Sequence, residues 1–343
     1  MRVGILTYHH TTNYGATMQT FALYSYLQSQ GVEVHIIDYK PKAARKAYFK
    51  SNFINKQAVS NLVKWRRFKK FTQQNLSLYK LRKQNFSGVE EILSDFDIII
   101  SGSDEIWNFD SFRGFDPVYF LGFKRNTPKK ISYAASFGEA KNFHANEGKL
   151  KEFLNSYDAL AVRDNKTFDK VGEYTNNTVY KVFDPTLLIS YQDKFNLEDV
   201  QHSNYVLIYG IVAEEFIQSI ITFADRNSLI IISVGYYNKF ATYNYVDAGP
   251  IEWLCYMKNA SFIYTNFYHG LLFSIIFNKP YKVFIIQSKS SKIHDVLLKL
   301  NLKSDYQLDY SGENEIRLLE RDLEDYTKES KDFIFKYIIG NNF

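Results

Sequence analysis

A histidine at the junction of an apolar strand and an apolar helix is the clearest chemical feature of the sequence. His269 lies in YTNFYHGLLFSIIF, residues 264–277, where a strand pattern passes directly into a helix pattern. A helix start places an imidazole beside free backbone N–H groups and the positive end of the helix dipole, which attract anions such as phosphate. Gly270 beside it lets a ligand approach the backbone closely. The alternative is that His269 caps the helix or packs against Tyr268.

Two further polar residues follow apolar runs. Arg163 comes after DALAV, and its planar guanidinium can bind a carboxylate or phosphate through two hydrogen bonds. An ion pair with Asp164 or Asp184 is the alternative. Asp104 in SGSDEIW is a candidate general base or acceptor for a sugar hydroxyl, with Ser103 as a candidate substrate ligand. A helix N-cap at Ser103 or Asp104 is the ordinary interpretation.

A predicted turn follows the first strand. Asn13, Tyr14 and Gly15 precede a helix pattern and are suited to bind an anion or a sugar, although turn chemistry alone also accounts for them. His9 and His10 lie nearby and point in different directions on an extended segment. These two histidines are weaker candidates.

The elements that must position these residues alternate between strand and helix patterns. This alternation predicts an α/β fold with mainly parallel sheets, and it occurs in two series. We therefore expect an N-terminal Rossmann-like domain over residues 1–190, with a basic helical insertion at about 40–89. A C-terminal Rossmann-like domain with a long final helix is expected over residues 191–343. Ligands of such sheets bind outside the carboxyl ends of the strands, so the candidate residues should converge at a cleft.

The insertion carries a charge of one sign. Residues 40–88 contain fourteen Lys and Arg and no Asp or Glu, whereas the whole chain has a net charge of +5. Aromatic residues are interleaved with these cations, which favours an anionic lipid surface or glycolipid as partner. A solvated helical hairpin is the alternative. Nucleic acid is not expected, because the rest of the chain is net acidic and carries no nucleic-acid-binding motif.

The compartment is indicated by cysteine content and apolar runs. Cys255 is the only cysteine, so no disulfide framework is expected and a reducing compartment fits. The N-terminus lacks the pattern of a signal peptide, and runs such as LLFSIIF are far shorter than the ~18 apolar residues of a membrane span. We expect a cytoplasmic protein, located at the inner face of the membrane if the insertion binds lipid.

Seven segments, in order and over nearly the whole chain, resemble the polysaccharide pyruvyl transferase family. They are GILTYHHTTNYGATMQTFALYSYLQSQGVEVHIIDY, SGSDEIWN, ISYAASFG, AVRDNKT, VFDPTLLI, GPIEWLCYMKNASFIYTNFYHGLLFSIIFNKPY and SSKIHDVLLKLNL. The sequence contains no GxGxxG, Walker, GxSxG or HExxH motif.

The resemblance implies two Rossmann-like lobes similar to the B-type glycosyltransferase fold. It also implies transfer of pyruvate from phosphoenolpyruvate to a surface or capsular polysaccharide precursor, as a cyclic ketal. Arg163 and His269 match the family's arginine and histidine. Members commonly read TDSFHG where this chain has TNFYHG at residues 265–270, and Lys292 stands where another arginine is common.

Under this resemblance the reaction assigns a role to each candidate. His269 serves as general acid or phosphate partner, and Arg163 binds the carboxylate or phosphate of the donor. Lys279 or Lys292 neutralises the leaving phosphate. No metal and no cofactor is expected.

The acceptor is expected to be a sugar, carried on a lipid-linked oligosaccharide. Asp104 and Asn13 are the residues predicted to bind it, with Asp104 deprotonating a hydroxyl, and residues 40–83 are predicted to contact an anionic membrane. Two alternatives stay open: a glycosyltransferase that uses a nucleotide sugar, and a glycan-binding protein without activity.

Overall fold

The computed structural model describes residues 1–53, 57–124, 128–284, 290–300, 302 and 319–340. The chain divides into two compact units. Unit 1 comprises Met1–Ile54, Thr72–Ile189 and Tyr326–Phe343, and unit 2 comprises Asn55–Phe71 and Ser190–Asp325.

Unit 1 is built on a parallel sheet of seven strands in the order β3-β2-β1-β4-β5-β6-β7. The strands are β1 (Arg2–Leu6), β2 (Glu33–Ile37), β3 (Leu78–Tyr79), β4 (Ile98–Ser101), β5 (Lys129–Ala135), β6 (Ala159–Val162) and β7 (Val179–Lys181). In the interior strand β1, Ile5 pairs with Ile36 on one side and Ile100 on the other. Near-continuous apolar strands of this kind are typical of parallel sheets buried on both faces.

Unit 2 is built on a parallel sheet of five strands in the order β10-β9-β8-β11-β12. The strands are β8 (Tyr205–Tyr209), β9 (Ile230–Val234), β10 (Tyr243–Tyr245), β11 (Phe262–Thr265) and β12 (Tyr281–Val283). The sequence patterns predict neither β3 nor β10, because both are two or three residues long and not fully buried.

Helices connect the strands of both units. They are α1 (Tyr14–Ser29), α2 (Lys42–Phe53), α3 (Ala58–Asn75), α4 (Phe86–Glu90), α5 (Glu147–Leu154), α6 (Asn165–Tyr174), α7 (Tyr191–Lys194), α8 (Glu214–Arg226), α9 (Pro250–Asn259), α10 (Tyr268–Ile276), α11 (Ser290–Lys299) and α12 (Leu319–Ile334). Across the part of the chain that is described, no helix has the length and apolar character that crossing a bilayer requires.

The strand order of each sheet reverses once, between β1 and β4 in unit 1 and between β8 and β11 in unit 2. In open α/β sheets, ligands bind outside the carboxyl ends of the strands at such a switch point. The carboxyl ends of β1 and β4, and of β8 and β11, are therefore the two places where chemistry is expected. The predicted α/β class with mainly parallel sheets is confirmed.

Parts of two helices, α12 and α3, group with a different unit from the one that the sequence patterns predict. The final helix was assigned to the C-terminal domain, but residues 326–343 group with unit 1. The Ser330 hydroxyl accepts a hydrogen bond from the Phe183 backbone N–H at 2.8 Å, and the Phe333 ring contacts Tyr133 and Tyr180. These contacts hold α12 on the β7 side of the first sheet.

The second difference concerns the basic insertion. Residues 55–71, predicted within the N-terminal domain, group with unit 2. Helix α3 buries Lys64, Phe68 and Phe71, and the Phe71 ring packs on Phe195. The predicted insertion at about 40–89 is therefore divided between the units: residues 55–71 group with unit 2, and the residues on either side group with unit 1.

Candidate active site

The turn after β1 begins helix α1 as predicted. The Asn13 side chain accepts a hydrogen bond from the Ala16 backbone N–H at 3.1 Å, so Asn13 is the N-cap. Asn13 itself is exposed, whereas Tyr14 and Gly15 are buried in the first helical turn. The geometry keeps Asn13 accessible and gives Tyr14 and Gly15 a packing role.

Arg163 lies at the carboxyl end of β6 and is almost fully buried. Its Nη1 is 2.8 Å from Asp184 Oδ2, and the two side chains are 2% and 0% exposed. Asp184 is anchored in turn, because its Oδ1 accepts hydrogen bonds from the backbone N–H and the hydroxyl of Thr186. The ion-pair alternative therefore holds for Arg163, and Asp184 is its partner.

The other candidate partner, Asp164, is occupied elsewhere. Its Oδ1 accepts a hydrogen bond from the Thr167 backbone N–H at 2.8 Å and caps α6.

Asp104 lies on the other side of the guanidinium. Arg163 Nη2 is 3.8 Å from Asp104 Oδ1, and the Asp104 side chain is 19% exposed. The buried pair of Arg163 and Asp184 thus supports a carboxylate that reaches solvent. From the sequence Arg163 is predicted to bind the donor directly. In the structure its guanidinium lies near the carboxylates of both Asp184 and Asp104.

The backbone around Asp104 is held in an unusual conformation. Asp104 has a φ of +87°, in a region that non-glycine residues rarely occupy. Its carbonyl accepts a hydrogen bond from the Ser136 N–H at 3.0 Å, and the Ser103 carbonyl accepts one from the Thr7 hydroxyl at 2.9 Å. The chain continues in turns after Asp104, so the predicted helix N-cap at Ser103 or Asp104 is wrong. Backbone of this kind persists where surrounding contacts over-determine it, as at functional sites.

His269 is the second residue of α10, at the carboxyl end of β11, as the sequence patterns predict. The N-cap Phe267 supplies no side-chain hydrogen bond to this helix. The half-buried imidazole lies edge-on to the Tyr268 ring, with centroids 5.1 Å apart. An imidazole and the positive end of a helix are thus placed together, which suits an anion that exchanges a proton.

Gly270 has a packing role that the sequence analysis did not anticipate. A Cβ at this position would lie 2.1 Å from the Thr265 hydroxyl oxygen, so only glycine allows α10 to pack this closely on β11. The Asn266 side chain likewise requires a glycine at position 210. Its Oδ1 lies 2.1 Å from where a Cβ of Gly210 would stand, and Gly210 has a φ of +147°.

The two predicted phosphate lysines occupy different surroundings. Lys292 lies on α11, and its Nζ is 5.6 Å from the centroid of the ring of Tyr268. Tyr268 is the residue before His269. Lys279 follows α10, and burial, with a smaller contribution from Lys258, lowers the pKa of its ammonium. The structure brings Lys292 to a ring neighbouring His269 and places Lys279 at the opposite end of α10.

Lys64 is a cation at the carboxyl end of β9 that the sequence analysis did not single out as a site residue. Its Nζ donates a hydrogen bond to the Gly235 carbonyl at 3.1 Å and lies 5.2 Å from the centroid of the Tyr236 ring. Burial lowers the pKa of Lys64 to about 7. Asp184 follows a strand pattern and is already named from the sequence as a possible partner of Arg163. No local pattern reveals the docking of Lys64.

The sequence profile of the polysaccharide pyruvyl transferase family matches residues 13–281, more than three quarters of the 343 residues. The chain belongs to this family. The polysaccharide pyruvyl transferases are enzymes, and the matched segment contains Asn13, Asp104, Arg163, His269 and Lys279, while Lys292 lies beyond it. No curated protein matches the sequence.

Solved structures show the same fold. A UDP-GlcNAc 2-epimerase from Neisseria meningitidis bound to UDP-GlcNAc aligns with a TM-score of 0.55 and 11% identity, over 99% of this chain and 100% of that one. MnaA of S. aureus, in a co-structure with UDP, aligns with a TM-score of 0.54 and 11% identity, over 99% and 96%. A putative UDP-N-acetylglucosamine 2-epimerase from Listeria monocytogenes gives 0.53 and 9%, over 97% and 88%. These are B-type glycosyltransferase and epimerase folds, so the predicted fold similarity is confirmed.

Proposed function

We propose that this polysaccharide pyruvyl transferase uses phosphoenolpyruvate as donor and forms a cyclic ketal on two hydroxyls of a sugar in a surface or capsular polysaccharide precursor. The observation that carries the proposal is the family match together with His269 at the N-terminus of α10. An imidazole can donate and accept a proton, which suits a step in which a proton moves to carbon while phosphate develops charge.

In the proposed reaction, His269 protonates the methylene carbon of phosphoenolpyruvate, and the neighbouring carbon becomes electrophilic. One acceptor hydroxyl attacks this carbon and loses its proton to Asp104. Phosphate then leaves, and a second hydroxyl closes the ring. The two hydroxyl protons are balanced by one new C–H bond in the methyl group and one proton on the released phosphate.

Arg163 acts through Asp104 in this scheme. The guanidinium, held by Asp184 at 2.8 Å, stands 3.8 Å from the Asp104 carboxylate and is proposed to hold that carboxylate in position for the acceptor. Lys292 and Lys279 are proposed to stabilise the leaving phosphate, and Asn13 to bind the acceptor.

The test is phosphate release from phosphoenolpyruvate in the presence of galactosides, mannosides and N-acetylmannosamine sugars, free or lipid-linked. His269→Ala should lower kcat by about 10²–10⁴, the range for loss of a general acid. His144→Gln, an exposed histidine of unit 1, is the matched control and should retain full activity.

Two results would count against the proposal. Equal phosphate release by wild type and His269→Ala removes His269 from the reaction. Transfer of a sugar from a nucleotide sugar, with no phosphate released from phosphoenolpyruvate, would favour the glycosyltransferase alternative.

We also propose that α3 contacts an anionic membrane, through a smaller set of residues than residues 40–83. Lys64 is buried, and Arg67 Nη1 is paired with Glu252 at 2.8 Å, so the proposed contact uses neither. Arg66, Lys69 and Lys70 are exposed, and the Trp65 side chain beside them is 39% exposed. This set combines cations with an interfacial aromatic residue.

Vesicle sedimentation with phosphatidylserine tests the membrane contact. Replacing Arg66, Lys69 and Lys70 together by glutamine should cost about 3 kcal/mol, roughly a hundredfold in affinity. High salt should weaken the wild type similarly. The control replaces three exposed lysines of unit 1, Lys124, Lys129 and Lys141, and should bind as the wild type does. Identical binding by both triple variants would refute the contact.

A further inference from the structure

A second cluster of polar groups lies in unit 1 beside the ends of β1, β2 and β4. It consists of His10, Tyr48, Phe112, Arg113 and Tyr119 and is called the His10 cluster. The His10 ring lies edge-on to Tyr48, with centroids 5.7 Å apart, and Tyr48 lies edge-on to Phe112 at the same distance. Arg113 donates a hydrogen bond to the Tyr48 hydroxyl, and its guanidinium carbon is 4.4 Å from the Phe112 ring centroid.

The cluster contains several buried polar atoms without a partner. Within the described ranges, both ring nitrogens of His10, the Nε of Arg113 and the hydroxyl of Tyr119 are buried and have no hydrogen-bond partner. Buried polar groups in native proteins are nearly always paired, and an unpaired one costs folding free energy. Four such atoms in neighbouring side chains indicate that a ligand supplies the missing partners.

The cluster adjoins the Asp104 turn. The Arg113 guanidinium carbon lies 3.8 Å from the centroid of the Tyr8 ring, and the Tyr119 ring packs edge-on against Tyr8 at 5.1 Å. The Tyr8 hydroxyl in turn lies 3.4 Å from the carbonyl of Glu105, the residue after Asp104. A ligand at the His10 cluster would therefore extend toward the proposed base.

The donors and acceptors of the cluster select the chemistry of that ligand. Burial, together with the nearby His9, Lys40 and Arg113, lowers the pKa of His10 well below its ordinary value, and Asp38 opposes this only partly. A neutral imidazole has one donor and one acceptor nitrogen. An oxyanion offers acceptors only and would leave the acceptor nitrogen unpaired, whereas a sugar hydroxyl both donates and accepts.

The aromatic residues agree with a carbohydrate. Phe112 is 56% exposed and leads from solvent to the half-buried Tyr48 and then to His10. Ligand sites commonly combine apolar and aromatic walls with a few placed polar groups. The C–H face of a sugar ring can lie on Phe112 while its hydroxyls meet the polar atoms.

We infer that the His10 cluster binds a sugar residue of the acceptor, with adjacent hydroxyls bonded to the two nitrogens of His10 and to Arg113 Nε. This inference rests on the proposed function for the identity of the acceptor, but binding of the sugar does not require turnover.

Saturation-transfer NMR with methyl β-galactoside, methyl α-mannoside and N-acetylmannosamine tests binding directly, and phosphate release gives the KM values. His10→Phe should raise the Kd and KM of the preferred sugar about tenfold or more, since two hydrogen bonds are lost. Phe112→Ala should weaken the same sugar. Neither variant should change the KM of phosphoenolpyruvate.

The matched control is His35→Phe. The nitrogens of His35 are 2.8 Å from the Ser77 hydroxyl and 3.1 Å from a Glu33 carboxylate oxygen, so this replacement removes satisfied bonds. His35→Phe should lower the midpoint of thermal unfolding and leave sugar binding unchanged. His10→Phe should keep or raise that midpoint, because it removes unpaired buried groups.

The outcomes separate the two proposals. Sugar binding that His10→Phe abolishes supports the inference even if no phosphate is released from phosphoenolpyruvate. Phosphoenolpyruvate-dependent transfer with an unchanged sugar KM in both His10→Phe and Phe112→Ala overturns the inference and leaves the proposed function intact. A lowered unfolding midpoint in His10→Phe with unaltered sugar binding gives His10 a packing role and also overturns it.

Discussion

The carboxyl ends of the strands in the two sheets, called the first edge in unit 1 and the second edge in unit 2, place charged groups in opposite ways. At the first edge, Arg163 and Asp184 are buried and bind each other at 2.8 Å, and the Asp104 carboxylate beside them is partly exposed. At the second edge, a half-buried His269 stands on a helix N-terminus. The first edge is therefore neutralised by its own buried ion pair, whereas the second is proposed to bind an external anion.

Replacing Arg163 should have the largest effect on the free energy of unfolding. Arg163→Ala leaves the Asp184 carboxylate buried without its cation and should lower the free energy of unfolding by about 3–5 kcal/mol. His269→Ala should change it by less than about 1 kcal/mol, because a half-buried side chain loses few contacts. Urea denaturation measures both.

A double variant tests whether the unpaired charge of Asp184 causes this loss of stability. Arg163→Met with Asp184→Asn removes the charge at both positions, and the amide oxygen can still accept from Thr186. Most of the lost stability should return, but activity should stay low because Asp104 has lost its neighbouring cation. Equal destabilisation by Arg163→Ala and His269→Ala would contradict the contrast between the edges.

Gly270→Ala tests whether the second edge needs glycine for packing or for ligand approach. Its Cβ would lie 2.1 Å from Thr265 Oγ1, and such overpacking typically costs about 1–3 kcal/mol. Gly172→Ala in α6 is the control, since nothing lies within 4 Å of its Cβ, and it should stabilise by about 0.5–1 kcal/mol. A Gly270→Ala protein as stable as wild type but inactive would restore the ligand-approach interpretation.

Lys64 should make stability depend on pH. Its pKa in the folded protein is about 7, whereas an unfolded lysine titrates near ~10.4. Between these values the unfolded chain binds more protons, so the free energy of unfolding rises with pH, by at most about 1.4 kcal/mol per pH unit. Below about pH 7 both states are protonated and this contribution is constant.

The comparison with Lys64→Met isolates that effect. Urea denaturation between pH 6.5 and 9 should give a shallower rise for Lys64→Met than for wild type, whereas exposed Lys69→Met should follow the wild type. Parallel curves for wild type and Lys64→Met would show that Lys64 keeps an ordinary pKa in the folded protein.

The candidate site was predictable where it depends on neighbours in the chain. His269 at a helix start, Asn13 in a turn before a helix, and the positions of Asp104 and Arg163 after strands all follow from strand and helix patterns. The partner of Arg163 did not follow, because Asp164 and Asp184 are equally plausible in sequence. Pairing of β6 with β7, and the use of Asp164 as a cap for α6, select Asp184.

The sequence by itself determined the alternation of strands and helices, the parallel class of both sheets and the strand ends that carry polar residues, because periodicity and capping act over a few residues. Only the tertiary structure decided that Lys64 is buried against Gly235 and that α12 packs beside β7. These outcomes depend on contacts between segments far apart in the chain, where packing and desolvation outweigh local preference.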